Sequence, residues 1–252
     1  MSRDSDWRDP AAGAPVAPDL WGEIVSAFHR GEPALHTLRR DDGYADVDQS
    51  PALYFGETFA PPAAAALAHA HGRVLDVGCG PGRVLLHLQR QGLAVTGLDS
   101  SPLTVEVARR RGALDVRLLS VGEADFPPAS FDTVVLFGNN LGLGGTLDGS
   151  RELLRRLGAL TGAGGVLIGN SLDPASTEKT EHLRYHEWNR QRGRYVGQAT
   201  IRYEFRGRIS PWWDLVLFEP PVLEALLADC GWRPGDWIEA GSGRYFVIAR
   251  KG

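Results

Sequence analysis

The residues most able to do chemistry sit close together. Asp76 precedes Gly78-Cys79-Gly80-Pro81-Gly82 by two positions, and Asp99 ends the next apolar run, Ala94-Val95-Thr96-Gly97-Leu98. Glycines at alternate positions suit a sharp bend that lets a ligand press on bare backbone. A carboxylate one strand further on is placed to accept hydrogen bonds from a ribose. The chemistry implied is the holding of a nucleotide-like molecule, and it needs a strand before the glycines and a helix after them.

Both elements are legible. Val74–Val77 reads as a buried strand and Arg83–Gln91 as an amphipathic helix. The glycine spacing is G-x-G-x-G, and Arg83 stands where dinucleotide-binding enzymes usually carry a further glycine. This stretch resembles motif I of the class I S-adenosylmethionine-dependent methyltransferases, with Asp99 matching the acid that ends their second strand. A nicotinamide or flavin site and a glycine turn without any ligand are the competing readings. The resemblance covers about residues 72–170 and 221–251.

It implies a Rossmann-like α/β fold with a seven-stranded sheet, and S-adenosyl-L-methionine as cofactor. The backbone of Gly78, Cys79 and Gly80 is expected against the methionine half and Asp76 at the amino-acid end. Asp99 is expected on the ribose, Ser100 near the adenine edge, and Glu123 and Ala124 beside the ring. The family usually has Asp where Glu123 stands, so Asp125 competes with it and the Ala124 backbone is the firmer expectation. The final two strands are expected to form a hairpin.

The fourth core strand ends Phe137-Gly138-Asn139-Asn140. Strand ends of open α/β sheets are where ligands sit, so Asn139 is expected on the cofactor and Asn140 on the methyl acceptor. Adjacent asparagines also build turns. Further on, His182, His186 and Asn189 share one face of a helix beside Tyr185. A general base there, His182 or His186, with Tyr185 on the substrate, competes with a solvated polar face. A His-x-x-x-His pair also suits a metal, but no third ligand stands at a persuasive spacing, so none is expected. Trp212 and Trp213 are expected in a pocket wall. Arg184, Arg190, Arg192, Arg194, Arg202, Arg206 and Arg208 either grip an anionic or aromatic small molecule or RNA, or lie exposed, with Arg202, Glu204 and Arg206 forming an ion-pair ladder on one hairpin face.

Net charge is −4 over 252 residues, which argues against nucleic acid as the main partner. No apolar run is long enough to span a bilayer, and Met1–Asp9 lacks the apolar centre of a secretory signal. Two cysteines, Cys79 and Cys230, form no disulfide framework, and a cytoplasmic setting is expected. The chain divides into a mobile tail (1–18), an N-terminal helical lid (19–71) and a cofactor-binding domain (72–252). An insertion at 171–219, a helix plus a hairpin, follows the fifth strand and is expected to cover the substrate. Residues 35–58 read as irregular apart from an aromatic pair, Tyr54-Phe55. The activity expected is methyl transfer to an O or N atom of a small molecule. An RNA methyltransferase and a non-catalytic S-adenosylmethionine-binding protein are the alternatives.

Overall fold

The computed structural model describes residue 11 and residues 13–252. In chain order the elements are α1 (Leu20–His29), β1 (His36–Arg40), β2 (Ala45–Gln49), α2 (Pro61–Leu67), β3 (Arg73–Val77), α3 (Arg83–Arg90), β4 (Ala94–Asp99) and α4 (Pro102–Arg110). Then follow β5 (Val116–Leu118), β6 (Phe131–Leu136), α5 (Leu147–Leu160), β7 (Thr161–Leu172), α6 (Thr180–Gln191) and β8 (Gln198–Phe205). β9 (Arg208–Ile209), β10 (Trp213–Val216), α7 (Pro220–Asp229), β11 (Trp232–Glu239) and β12 (Arg244–Lys251) complete the chain.

Seven strands form the central sheet in the order β11-β12-β7-β6-β3-β4-β5. β3 to β7 run parallel, while β12 is antiparallel to both of its neighbours. Alternation in β3 explains why helices lie on both faces. Leu75 and Val77 pack with leucines of α5 and α7, and Val74 packs with α3 and α4. Local sequence sets the helix starts: the Asp19 carboxylate accepts from the Gly22 amide at 3.2 Å, and the Ser101 hydroxyl accepts from the Thr104 amide ahead of Pro102.

A second sheet differs from expectation. The stretch at 35–58 contains β1 and β2, and these join the insertion's strands in the order β10-β8-β1-β2, with β9 paired to β8. The lid is therefore part strand, and lid and insertion are one structure built from distant segments. His36-Thr37-Leu38-Arg39-Arg40 is polar enough to read as loop. Its strand conformation is set by pairing with β8, where Thr37 faces Glu204 and Arg39 faces Arg202. The insertion's helix begins at Thr180, after a short turn at Pro174–Ser176.

The expected mobile tail also needs correction. Residues 1–10 and 12 lie outside the described residues. Further along, the Ala17 amide donates to Ile209 at 2.7 Å, Ile209 donates to Pro15 at 3.1 Å, and Ala17 is fully buried. Its end is docked along β9 because those backbone groups complete that edge.

Candidate cofactor and acceptor site

The glycine bend leaves β3 with Gly78, Gly80 and Gly82 all at positive φ. A Cβ on Gly78 would stand 2.4 Å from Asn140 Nδ2, whereas one on Gly80 would enter open space. Gly78 is thus needed for both conformation and clearance, and Gly80 turns bare main chain toward open space. Asp99 holds the bend: its Oδ2 accepts from the Gly80 amide and its Oδ1 from the Ser101 amide, each at 2.9 Å. Burial raises its carboxyl above the usual range, against the pull of those amides. Cys79, buried beside Asp76 and Asp99, keeps its thiol protonated, burial being the largest cause.

Asp76 lies under the bend, 2% exposed. It accepts from the Leu85 backbone amide at the start of α3, a donor the helix itself leaves unpaired. Its Oδ2 is buried without a hydrogen-bond partner among the described residues. Burial lifts its carboxyl to about 7, with the Asp99 charge adding to the rise. A buried carboxylate oxygen without a donor is the arrangement a cationic ligand group would complete.

The asparagines at the end of β6 divide differently from the expectation. Asn140 does not stand free for a substrate: its Nδ2 donates to the Val77 and Gly78 carbonyls, at 2.8 and 2.9 Å, and clamps the glycine bend. Asn139, at φ 65°, exchanges hydrogen bonds with Asn170. Glu123 folds back to accept from the Ser120 hydroxyl at 2.7 Å, which lowers its pKa. It therefore caps its own turn. Ala124 is buried, and its carbonyl accepts from Arg156. Ser100 follows Asp99 on the surface turn before α4.

The contacts of His182 run to β1 and the turn after it and not to the bend. His182 Nδ1 accepts from Arg40 at 3.1 Å with its ring edge-on to Tyr44, and His186 is half-buried. Burial lowers the pKa of both, neighbouring arginines adding to the effect. Tyr185, expected on the substrate, is a joint instead. Its hydroxyl donates to Asp41 at 2.6 Å and accepts from the Thr200 amide, beneath the Arg40 guanidinium. Asn189 completes the joint by donating to the Val196 and Gln198 carbonyls.

Most of the insertion's arginines have partners of their own. Arg202 bonds Glu204, which also binds Arg39; Arg206 pairs with Glu32 and Arg208 with Glu23. Arg194 pairs with Asp41, Arg190 with Glu187, and Arg192 stacks on Trp188. Glu204 thus bridges Arg202 and Arg39, whereas Arg206, expected in the same ladder, pairs with Glu32 instead. Trp212 lies outward against Arg202, whereas Trp213 turns toward Tyr203, 6.0 Å between ring centroids.

What the sequence did not reveal is an aromatic cluster that joins α1 and the Tyr54 turn to the second sheet. Trp21 of α1 stacks on Tyr203 of β8 at 5.1 Å and meets Tyr54 and His36 edge-on at 5.1 and 5.9 Å. A Cβ on Gly138 would stand 3.8 Å from Tyr54, which places the cluster over the end of β6. Arg111 and Arg83, which flank the bend, hold the Tyr54 segment there. Arg111 donates to the Pro81, Phe55 and Tyr54 carbonyls, and Arg83 to those of Gly56 and Thr58. Asp19 pins α1 beside them by accepting from the Leu103 amide at 3.1 Å. A hollow of about 470 Å³, lined by Leu35, His36, Thr37, Arg206 and Arg208 among others, lies at the hairpin tip, and no residue of the bend lines it.

Residues 74–165 match the model of a methyltransferase domain. A ubiquinone biosynthesis O-methyltransferase of Methylocella silvestris is 37% identical over 68 residues, 25% of this chain and 27% of that protein. The chain spans about a quarter of the length of the curated relatives it matches first. An uncharacterised methyltransferase of Mycobacterium bovis is 31% identical over 140 residues, covering 52% of this chain and 68% of that protein. A Bacteroides fragilis S-adenosylmethionine-dependent methyltransferase, solved with S-adenosyl-L-homocysteine, superposes with a TM-score of 0.78 at 25% identity. It covers 94% of this chain and 98% of its own.

Proposed function

The chain belongs to the class I S-adenosylmethionine-dependent methyltransferases, and from that we propose that it transfers a methyl group from S-adenosylmethionine to an O or N atom of a small molecule. The observation that carries this reading is the cradle at the bend. Gly80 offers bare main chain over open space, Asp99 holds it from the next strand, and the unpartnered Asp76 oxygen lies below. These residues suit the cofactor's parts: Asp76 the amino-acid end, the Cys79 and Gly80 backbone the methionine half, and Asp99 the ribose diol. When bound, S-adenosylmethionine supplies an electrophilic methyl group together with its leaving group.

The chain's contribution is then placement and exclusion of water. Orientation alone is worth roughly 7 to 11 kcal/mol. The Arg83 and Arg111 clasps, the Asp19 cap and the second sheet hold the aromatic cluster against the strand ends. That rigid arrangement supports alignment of an acceptor with the methyl carbon. Aromatic walls favour a small acceptor over a nucleic acid, and the paired arginines agree. The unpaired thiols of Cys79 and Cys230 suit a reducing, cytoplasmic setting. No helix among the described residues is long and apolar enough to cross a membrane.

Calorimetry with S-adenosylhomocysteine tests the reading. Binding by the wild-type chain and its loss in Asp99→Ala are expected. Equal affinity in the variant would remove Asp99 from the ribose, and no binding by either would overturn the proposal.

A further inference from the structure

Tyr54 reaches both walls of the glycine bend. Arg111 Nη1 donates to the Tyr54 carbonyl at 3.4 Å and to the Pro81 carbonyl at 2.6 Å, which ties the Tyr54 backbone to the end of the bend where α3 begins. The ring reaches the end of β6. A Cβ on Gly138 would stand 3.8 Å from Tyr54 Cε1 and 3.8 Å from Oδ1 of Asn140, the side chain that clamps Gly78. Tyr54 is half-buried, its hydroxyl has no hydrogen-bond partner among the described residues, and that oxygen is not one of the sealed, unpaired atoms. Burial raises its pKa, so the oxygen keeps its proton at neutral pH and can donate. Beside it stand two cations without an ion pair. Arg83 and Arg111 bond backbone carbonyls and lie over the Phe59 and Phe55 rings, and among the described residues neither has a carboxylate within ion-pair distance. The amides of the bend are already occupied. Cys79 donates to the Leu98 carbonyl, Gly80 to Asp99 and Gly82 to the Cys79 carbonyl, and Pro81 has no N–H.

We propose that the Tyr54 hydroxyl is the donor that receives the carboxylate of the cofactor's amino-acid end, in the positive field of Arg83 and Arg111. The inference rests on the methyl-transfer reading and deepens it. The unpartnered Asp76 oxygen suits the ammonium of that end, and the carboxylate hangs on the same carbon. Its donor must therefore stand at the same part of the bend. With the bend's own amides occupied, the donor comes from another element, and the Tyr54 turn is the one tethered there. A phenol bonded to a carboxylate makes a charge-assisted hydrogen bond, stronger than one between neutral groups. Two half-buried guanidinium groups that lack a carboxylate gain from an anion placed beside them, and burial alone holds the pKa of both down. Tyr54 belongs to the N-terminal lid, so this bond fastens lid to core through the ligand. It holds the cofactor and takes no proton in the transfer.

Calorimetry on the full chain tests the assignment, with S-adenosylhomocysteine and its decarboxylated analogue, which keeps the amine, as probes. The wild type is expected to prefer S-adenosylhomocysteine by about tenfold or more. Tyr54→Phe is expected to lose about tenfold or more for S-adenosylhomocysteine while binding the analogue within about twofold of the wild type. Its melting temperature should match the wild type, because the oxygen removed has no partner in the free chain. A lowered melting temperature would show that it has one and would overturn the assignment. Equal losses for the two ligands would make Tyr54 a packing residue, and no loss for either would remove it from the carboxylate. A wild type that does not distinguish the ligands would show the carboxylate unheld, which also overturns the proposal. In each of these cases S-adenosylhomocysteine binding by the wild type leaves the methyl-transfer reading standing. Failure of the wild type to bind either ligand would end both readings together.

Discussion

Replacing Asp76 by Asn removes a carboxyl that burial lifts from its usual 3.8 to about 7. The folded chain holds that proton more tightly than the unfolded chain does. Its contribution to stability is therefore fully present below about pH 4 and is lost as the pH rises through about 7. Each tenfold change in protonation is worth about 1.4 kcal/mol, so the whole penalty above neutrality is about 4 kcal/mol, of which about 2 to 3 kcal/mol accumulates between about pH 5 and pH 8. Asn cannot ionise, but its amide leaves an unpaired donor in place of the unpaired oxygen, a constant cost of about 1 to 3 kcal/mol. The informative quantity is the change with pH of the difference between the two proteins, in which other titrating groups largely cancel. Urea unfolding of both proteins without cofactor should show Asp76→Asn gaining about 2 to 3 kcal/mol on the wild type between those pH values. Its affinity for S-adenosylhomocysteine should meanwhile fall about tenfold or more, because the charged partner of the ligand's ammonium is gone. A stability difference flat with pH would refute the claim that this carboxylate is buried without compensation.

Other expectations follow from single contacts. Asn140→Ala should lose about 1 to 3 kcal/mol in urea unfolding and weaken S-adenosylhomocysteine binding, since it frees the Val77 and Gly78 carbonyls; unchanged affinity would mean the clamp does not shape the bend. Tyr185→Phe should cost about 1 to 3 kcal/mol without altering that affinity, and a selective loss of turnover would return Tyr185 to the substrate. Deleting residues 1–18 should lower the melting temperature by about 4 to 8 °C, because it removes buried Ala17 and two backbone bonds to Ile209, worth about 2 kcal/mol together. An unchanged melting temperature would show that the edge of β9 needs no partner.

Local rules made the cofactor half legible. A buried strand, positive-φ glycines and an acid at the next strand end are consecutive or one βαβ unit apart, and their geometry follows from backbone sterics and hydrogen bonding. Asn140 misled because its position was right but its donors were spent on neighbouring carbonyls, which spacing alone does not reveal. Residue type also misled at His182, His186 and Tyr185. A polar helix face reads alike whether it lines a cavity or docks on a second sheet, and only the partners Arg40 and Asp41, some 140 residues away in the chain, decide which.

By itself, then, the sequence determined the parallel sheet, the glycine bend and the acids beneath and beside it, all products of short-range pattern and chirality. Tertiary structure alone decided that β1 forms by pairing with an insertion far along the chain, with β2 added at its other edge, and that Trp21, His36, Tyr54, Tyr203 and Trp213 meet. Those residues come from five separate elements with no common period, and the long-range pairing that joins them leaves no repeating mark on any one of them.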